Sequence, residues 1–450
     1  MKIMVVSLGC DKNLVDTEMM LGMLSERGHS FTEDENEADV VIVNTCSFIR
    51  DAKAESIETL ISMGRLKTTG KLKGLIAAGC LAERYSEEIS EQIPEVDEIV
   101  GTMSIDCITE AVEKISLQEK EIYRKPVDGP LIYGKKRIVS TGGHFAYLKI
   151  ADGCDKHCTY CAIPSFRGKF RSVPMDILLE EAKKLTEGGV KELILVAQET
   201  TLYGVDLYGK KKLAELIEKL SEIDGLYFIR ILYCYPEEID DELIEVIKNN
   251  EKVCHYIDMP IQHASDSVLK RMGRRTSEKD LINIVSKLRK EIPDIAIRTT
   301  LITGFPGEKH SDYKIMKNFV QEMRFDRLGV FTYSKEENTA AARMKGQIPS
   351  LLKKARRNGI MRVQQGIAFD KAVEEIGRTL TVIVEGKMPA ESDEAKKVYV
   401  CRTYKDAPDV DGFLFLETNR ELMTGDIAKV VVTGAKNYDL VGEFEDEFTE

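Results

Sequence analysis

Apolar runs of strand length alternate with helix-length amphipathic stretches along most of this chain. That alternation restricts it to parallel α/β architectures. In the first hundred residues the strand candidates are 2–8, 39–45, 74–79 and 98–101, with helical stretches such as 15–27 and 52–63 between them. From residue 145 the pattern resumes, with strands at 147–151, 192–197, 227–233, 255–259, 296–302 and 328–333. Helices such as 175–187 and 277–290 separate them. Six βα units fall short of the eight of a full barrel, so a partial (β/α)6 barrel fits the count, with an open doubly wound sheet as the alternative. Residues 351–376 read as a long charged helix. The short β-branched runs that follow, at 379–384, 397–401, 413–416 and 426–432, indicate a small β-barrel of the OB-like kind. The expected organisation is therefore α/β and multidomain. It comprises an N-terminal parallel α/β sheet domain (1–115), a charged linker or small hairpin with Pro and Gly (116–139), a partial barrel (140–375) and a small C-terminal β-barrel (376–445).

No run reaches the ~18 apolar residues of a membrane span. The start of the chain, 1–8, lacks the basic flank and apolar length of a signal peptide and reads as a buried strand. A cytoplasmic protein without membrane contact is expected. Ten Cys in such a compartment point to metal ligands or catalytic groups rather than to disulfides. The net charge of −12 argues against a broad surface for nucleic-acid phosphates.

Three of the cysteines, Cys154, Cys158 and Cys161, form a Cys-x3-Cys-x2-Cys cluster just past the first barrel strand. Fe–S clusters are held by four thiolates as a rule, so three ligands leave one iron open for a substrate or cofactor. Zinc is the alternative, with His157 as fourth ligand. Cys10, Cys46 and Cys80 each follow one of the first three strands, 36 and 34 residues apart. Ligands of open parallel sheets bind at the carboxyl ends of strands, where three such Cys can converge on a second cluster. Gly9 and Gly79 would let backbone approach it closely. The plainer reading of this set is three buried small hydrophobes. Cys107, Cys234, Cys254 and Cys401 share no spacing and read as core.

Cys154, Cys158 and Cys161, with Tyr160 before the last Cys, resemble the signature of the radical S-adenosylmethionine (SAM) superfamily. The resemblance implies that SAM binds the open iron and is cleaved by one electron to a radical that abstracts hydrogen from carbon. The full arrangement, with Cys10, Cys46 and Cys80 ahead of the barrel and a TRAM-like β-barrel behind it, is similar to the methylthiotransferases. It implies two [4Fe-4S] clusters, two SAM molecules per methylthio group transferred, a sulfur donor, and a low-potential electron donor such as flavodoxin or ferredoxin. The segments 163–168 (Ile-Pro-Ser-Phe-Arg-Gly), 260–263 (Pro-Ile-Gln-His) and 303–308 (Thr-Gly-Phe-Pro-Gly-Glu) look like loops at strand ends, where a barrel keeps its active site.

Two branches of that family differ in target. The run Leu8-Gly9-Cys10-Asp11-Lys12-Asn13 resembles the branch that modifies an aspartate of ribosomal protein S-twelve, as does the stretch 402–412. The tRNA-modifying branch more usually shows Met in place of Lys. Residues 378–450 carry nine Lys or Arg against sixteen Asp or Glu, a net −7 that suits a basic protein partner better than tRNA. A solvated acidic surface, including the tail 443–450, explains the same charge. Tyr160, Gln198, Glu199 and Arg298 are the candidates for contact with SAM, Arg298 otherwise serving as a barrel ion pair. Gln262 and His263 either join the site or finish a strand, and Gly304 and Gly307 read as turn residues. A zinc-stabilised or electron-transfer protein without SAM chemistry remains the reading from another class.

Overall fold

A computed structural model describes residues 1–117, 120–389 and 397–446. The N-terminal strands β1 (Lys2–Ser7), β2 (Ser30–Phe31), β3 (Val40–Thr45), β4 (Gly74–Ala78), β5 (Glu98–Val100) and β6 (Glu121–Tyr123) form one sheet in the order β2-β1-β3-β4-β5-β6, every pair parallel. All six residues of β3 are buried. A strand covered by helices on both faces has to be such an unbroken apolar run. The helix Asp11–Glu26 starts four residues before the periodic stretch expected at 15, because Lys12 and Asn13 are polar yet buried. The segment expected as a linker is not free of the sheet, since β6 is its sixth strand.

The strands β7 (Phe145–Lys149), β8 (Ala151–Asp152), β9 (Arg171–Ser172), β10 (Glu192–Val196), β11 (Phe228–Ile231), β12 (Tyr256–Asp258), β13 (Ala296–Thr303) and β14 (Arg327–Thr332) follow. β7, β10 and β11 pair parallel in chain order, as do β12, β13 and β14. A bridge between Ile229 and Val253 links the two groups. Six strands in chain order with no reversal make a partial barrel and exclude the doubly wound alternative. β8 and β9 form a short antiparallel pair beside the Cys154 loop.

After the helix Ser350–Glu374 come β15 (Thr379–Lys387), β16 (Lys397–Thr403), β17 (Leu414–Thr418), β18 (Ile427–Lys436) and β19 (Asp439–Phe444), closed as β15-β16-β17-β19-β18. This barrel has five strands rather than the four expected, because 439–444 is also a strand. Of the acidic tail, 447–450 lie outside the described residues, as do 390–396.

The three units share buried contacts. Val15, Met19 and Met23 of the first helix lie in one apolar cluster with Phe145, Tyr147, Ile194 and Val196 of the partial barrel. Each large apolar side chain buried there contributes roughly 1.5–3 kcal/mol. Arg402 of β16 pairs with Glu192 at 2.5 Å, and Glu192 also accepts from Arg230 at 2.8 Å. Among the described residues no helix is long and apolar enough to cross a membrane.

Candidate active site

β1, β3 and β4 are neighbours with aligned ends, Ser7 opposite Asn44 and Asn44 opposite Ala78. Cys10, Cys46 and Cys80 therefore emerge side by side at one edge of the sheet. Cys10 is exposed at the start of its helix, while Cys46 and Cys80 are buried. The two glycines are required by space. A Cβ on Gly9 (φ +93°) would stand 2.8 Å from the Cys46 sulfur, and one on Gly79 (φ +87°) 2.1 Å from Asn44 Oδ1. Asn13 ties the loops together. Its Nδ2 donates to the carbonyls of Leu8 and Thr45 at 3.0 and 2.9 Å, and its Oδ1 faces Cys80 Sγ at 3.5 Å.

Arg167 reaches this triad from the barrel side. Its Nη2 donates to Asn13 Oδ1 at 2.6 Å and to Cys80 Sγ at 3.3 Å, and its Nη1 to Asp16 at 2.7 Å and Asp152 at 3.0 Å. Burial opposes ionisation of Asp152, but Arg167 and Lys149 outweigh it and hold the carboxyl well below the usual range. Asp152 also accepts from Gln198 Nε2 at 2.8 Å. A buried chain of hydrogen bonds thus runs from the end of β10 through Asp152 and Arg167 to Cys80.

The second triad lies next to Asp152. Gly153 (φ +81°) could not carry a Cβ, which would fall 1.9 Å from the Lys169 carbonyl oxygen. Cys154 N donates to Gly168 O at 3.1 Å, and Cys161 N to Cys158 O at 2.9 Å, which folds the loop around its three thiols. Cys158 Sγ sits 3.6 Å from Tyr235 Oη and 4.0 Å from Arg274 Nη1. Burial pushes the Cys154 thiol up to about 11 and those of Cys80 and Cys161 up to about 12. Thiolates at these positions need a cationic partner, so metal binding here releases protons. The residues present suit iron–sulfur ligation in kind, with three thiols past the ends of three neighbouring strands, three more in the loop after β7, and a guanidinium beside one thiol of each set. His157, the fourth ligand of the zinc alternative, is exposed. Among the described residues no three His, Cys, Asp or Glu side chains are gathered to hold a single metal ion.

The other expected contacts divide. Gln198 and Glu199 lie at the Cys154 side. Glu199 Oε2 is buried without a hydrogen-bond partner, 3.9 Å from Lys156 Nζ. Burial pushes its carboxyl up to about 7, against the pull of Thr201 and Lys156. The Tyr160 ring packs edge-on against Phe305 at 6.5 Å in a small apolar cluster. Arg298 is placed elsewhere, in a cavity of about 410 Å3 with Gly9, Cys10, Tyr233, Pro408 and Asp409. His263 Nδ1 accepts from the amides of Ala264 and Ser265, and burial pushes the ring down to about 3, so it is neutral. Glu308 accepts from the amides of Gly304 and Phe305 and pairs with Arg356 at 2.7 Å, which closes the 303–308 loop as a turn. Asn13 and Arg167 lay inside segments quoted from the sequence, but nothing local marked them as partners.

Residues 2–101 match uncharacterized protein family UPF0004, 148–320 the radical SAM superfamily and 376–444 the TRAM domain. A ribosomal protein uS12 methylthiotransferase RimO of Lachnoclostridium phytofermentans is 58% identical over 99% of this chain and 100% of its own. The chain belongs to the RimO family of radical SAM methylthiotransferases. Another RimO, of Clostridioides difficile, is 46% identical over 98% of each chain. Among solved structures, the radical SAM methyltransferase TsrM of Kitasatospora setae, with cobalamin and a [4Fe-4S] cluster bound, covers 76% of each chain with a TM-score of 0.54 at 12% identity. The cobalamin-dependent SAM radical enzyme OxsB matches 80% of this chain and 56% of its own, with a TM-score of 0.53 at 13% identity. At those identities both are likenesses of fold. Cys154, Cys158 and Cys161 fall within the range matched to the radical SAM superfamily, and Cys10, Cys46 and Cys80 within that matched to UPF0004.

Proposed function

We propose that this protein adds a methylthio group to the β-carbon of an aspartate of ribosomal protein uS12. Cys154, Cys158 and Cys161 hold the [4Fe-4S] cluster that meets SAM, and Cys10, Cys46 and Cys80 hold a second one. The observation that carries the reading is that both triads stand at carboxyl ends of parallel strands, with Arg167 bonded both to Cys80 and to Asp152, two residues before Cys154. The full-length likeness to RimO proteins supports the target.

When bound, the clusters and SAM supply electrons, a methyl group, a radical and sulfur. The chain positions them. Arg274 places positive charge beside Cys158, and Arg167 does so beside Cys80, where it pulls against the burial that raises that thiol. Glu199 and Gln198 offer a buried carboxylate oxygen and a carbonyl oxygen, both without partners, to polar groups of SAM. Tyr160 backs the cluster loop through Phe305. The aromatic and apolar walls keep water from the reactive centre. We read the units as 1–115, completed by β6 from the segment that follows, 140–375 and 376–445, the last meeting the target. A low-potential flavodoxin or ferredoxin, a sulfur donor and a cytoplasmic setting complete the reading, with tRNA the less suited target.

The test is an anaerobic reaction of reconstituted, reduced protein with SAM and sulfide, offered uS12 or unmodified tRNA, each followed by mass spectrometry. A methylthio gain on an aspartate peptide is the expected result. Methylthio-adenosine in tRNA without a gain on uS12 would overturn the target.

A further inference from the structure

We propose that Arg298 reads the carboxylate of the target aspartate, and that the cavity beside Cys10 is the subsite for that residue. The inference rests on the uS12 reading and gives it a recognition element. The cavity, about 410 Å3, has the size of a ligand pocket and is walled by all three units. Gly9 and Cys10 come from the first, Tyr233 and Arg298 from the barrel, and Pro408 and Asp409 from the C-terminal module. Cys10 is the exposed thiol of its triad, so the cavity is where the first triad opens outward.

Arg298 is a fork without a tight partner. It stands on β13, partly exposed, and among the described residues its guanidinium donates no hydrogen bond. Its nearest carboxylates are Asp258 at 3.5 Å and Asp411 at 3.7 Å, both beyond hydrogen-bond reach. Both acids have other donors. Asp258 Oδ2 accepts from Tyr233 N at 3.1 Å, and Asp411 Oδ2 from Tyr256 Oη and Ala407 N, each at 2.9 Å. The neighbouring cation is already committed, with Lys12 Nζ 2.9 Å from Asp11 Oδ1 and 3.3 Å above the Tyr233 ring centroid. A planar guanidinium with open donors is suited to two parallel hydrogen bonds with one carboxylate. An aspartate held this way has its β-carbon one bond from the anchored group. Asp409, which also lines the cavity, suits the basic neighbours of a cationic target chain.

The test measures binding of uS12 to the reconstituted protein, with Asp or Asn at the modified position. Wild type is expected to prefer Asp by about 10- to 100-fold, the range of charged hydrogen bonds. R298Q is expected to bind the two alike, and R298K, which keeps the charge and loses the fork, to fall between them. Thermal melts show which variants fold, and either variant alone decides. An undiminished preference for Asp in R298Q or R298K would overturn the role of Arg298. Wild type that neither binds nor modifies uS12 but modifies tRNA would instead sink the uS12 reading, and this proposal with it.

Discussion

The guanidinium of Arg167 stands 3.3 Å from the sulfur of Cys80, although the two residues arrive from different units of the chain. The same side chain neutralises Asp16 and Asp152, so removing it leaves two buried carboxylates to share Lys149 alone. R167Q should lower stability by about 3–5 kcal/mol, the usual penalty for breaking a buried pair. It should also drop bound iron from roughly eight towards roughly four per chain, through loss of the first-triad cluster. Iron and sulfide analysis with a thermal melt checks both. Wild-type iron content in R167Q would remove this role.

The two triads should fail differently. Cys158→Ala should abolish SAM cleavage, read as loss of deoxyadenosine. Cys10→Ala should still yield deoxyadenosine but no methylthio product. Chromatography of the SAM products beside mass spectrometry of uS12 separates the outcomes. Normal SAM cleavage in the Cys158 variant would defeat the assignment.

Glu98 in β5 is buried, and neither of its side-chain oxygens has a hydrogen-bond partner. Burial pushes its carboxyl up to about 7 from an ordinary 4.5. Between those two pH values the folded chain keeps a proton that the unfolded chain releases. Stability is therefore full below the unfolded pKa and is lost as pH rises through the folded one. E98Q should lack this slope and be more stable than wild type at pH ~8 by up to about 2 kcal/mol. Denaturant titrations at about pH 5 and 8 test it. Parallel slopes for the two proteins would contradict the shift.

Arg402 is almost fully buried between Glu192 of the barrel and Glu385 of its own module, at 2.5 and 2.8 Å. R402A should cost about 3–5 kcal/mol and loosen the module. Limited proteolysis should then cut between the helix Ser350–Glu374 and β15. Resistance equal to wild type would show that the remaining contacts, among them Arg327 with Asp406 and Tyr256 with Asp411, hold the module without Arg402.

The parallel strands were legible because a sheet covered on both faces demands unbroken apolar runs, and β3, with every residue buried, is such a run. β19 was not, since Gly442 and its charged neighbours hide the alternation, and closure of the barrel is what makes 439–444 a strand. β6 is three residues long and takes its shape from pairing with β5. The positions of all six cysteines past strand ends could be read from spacing. The partners of Cys80 could not, because Arg167 lies 87 residues away and the contact depends on how two units meet. Arg298 was legible only as a candidate for contact with SAM or as a barrel ion pair. Its direction, towards Cys10 rather than Cys158, follows from the placement of the C-terminal module, which local pattern does not encode.

Pro408 and Asp409, which wall the Cys10 cavity, lie six and seven residues beyond Arg402, and Arg402 is anchored to Glu192 in the barrel. Arg402 is thus one of several side chains that index the C-terminal module to the barrel, beside Arg230 on the Tyr404 carbonyl, Arg327 on Asp406 and Tyr256 on Asp411. Grafting a C-terminal module from one family member onto another would then succeed only where the recipient keeps the Glu192 and Arg230 pair. In lineages that exchange such modules, those two barrel positions and Arg402 should change together.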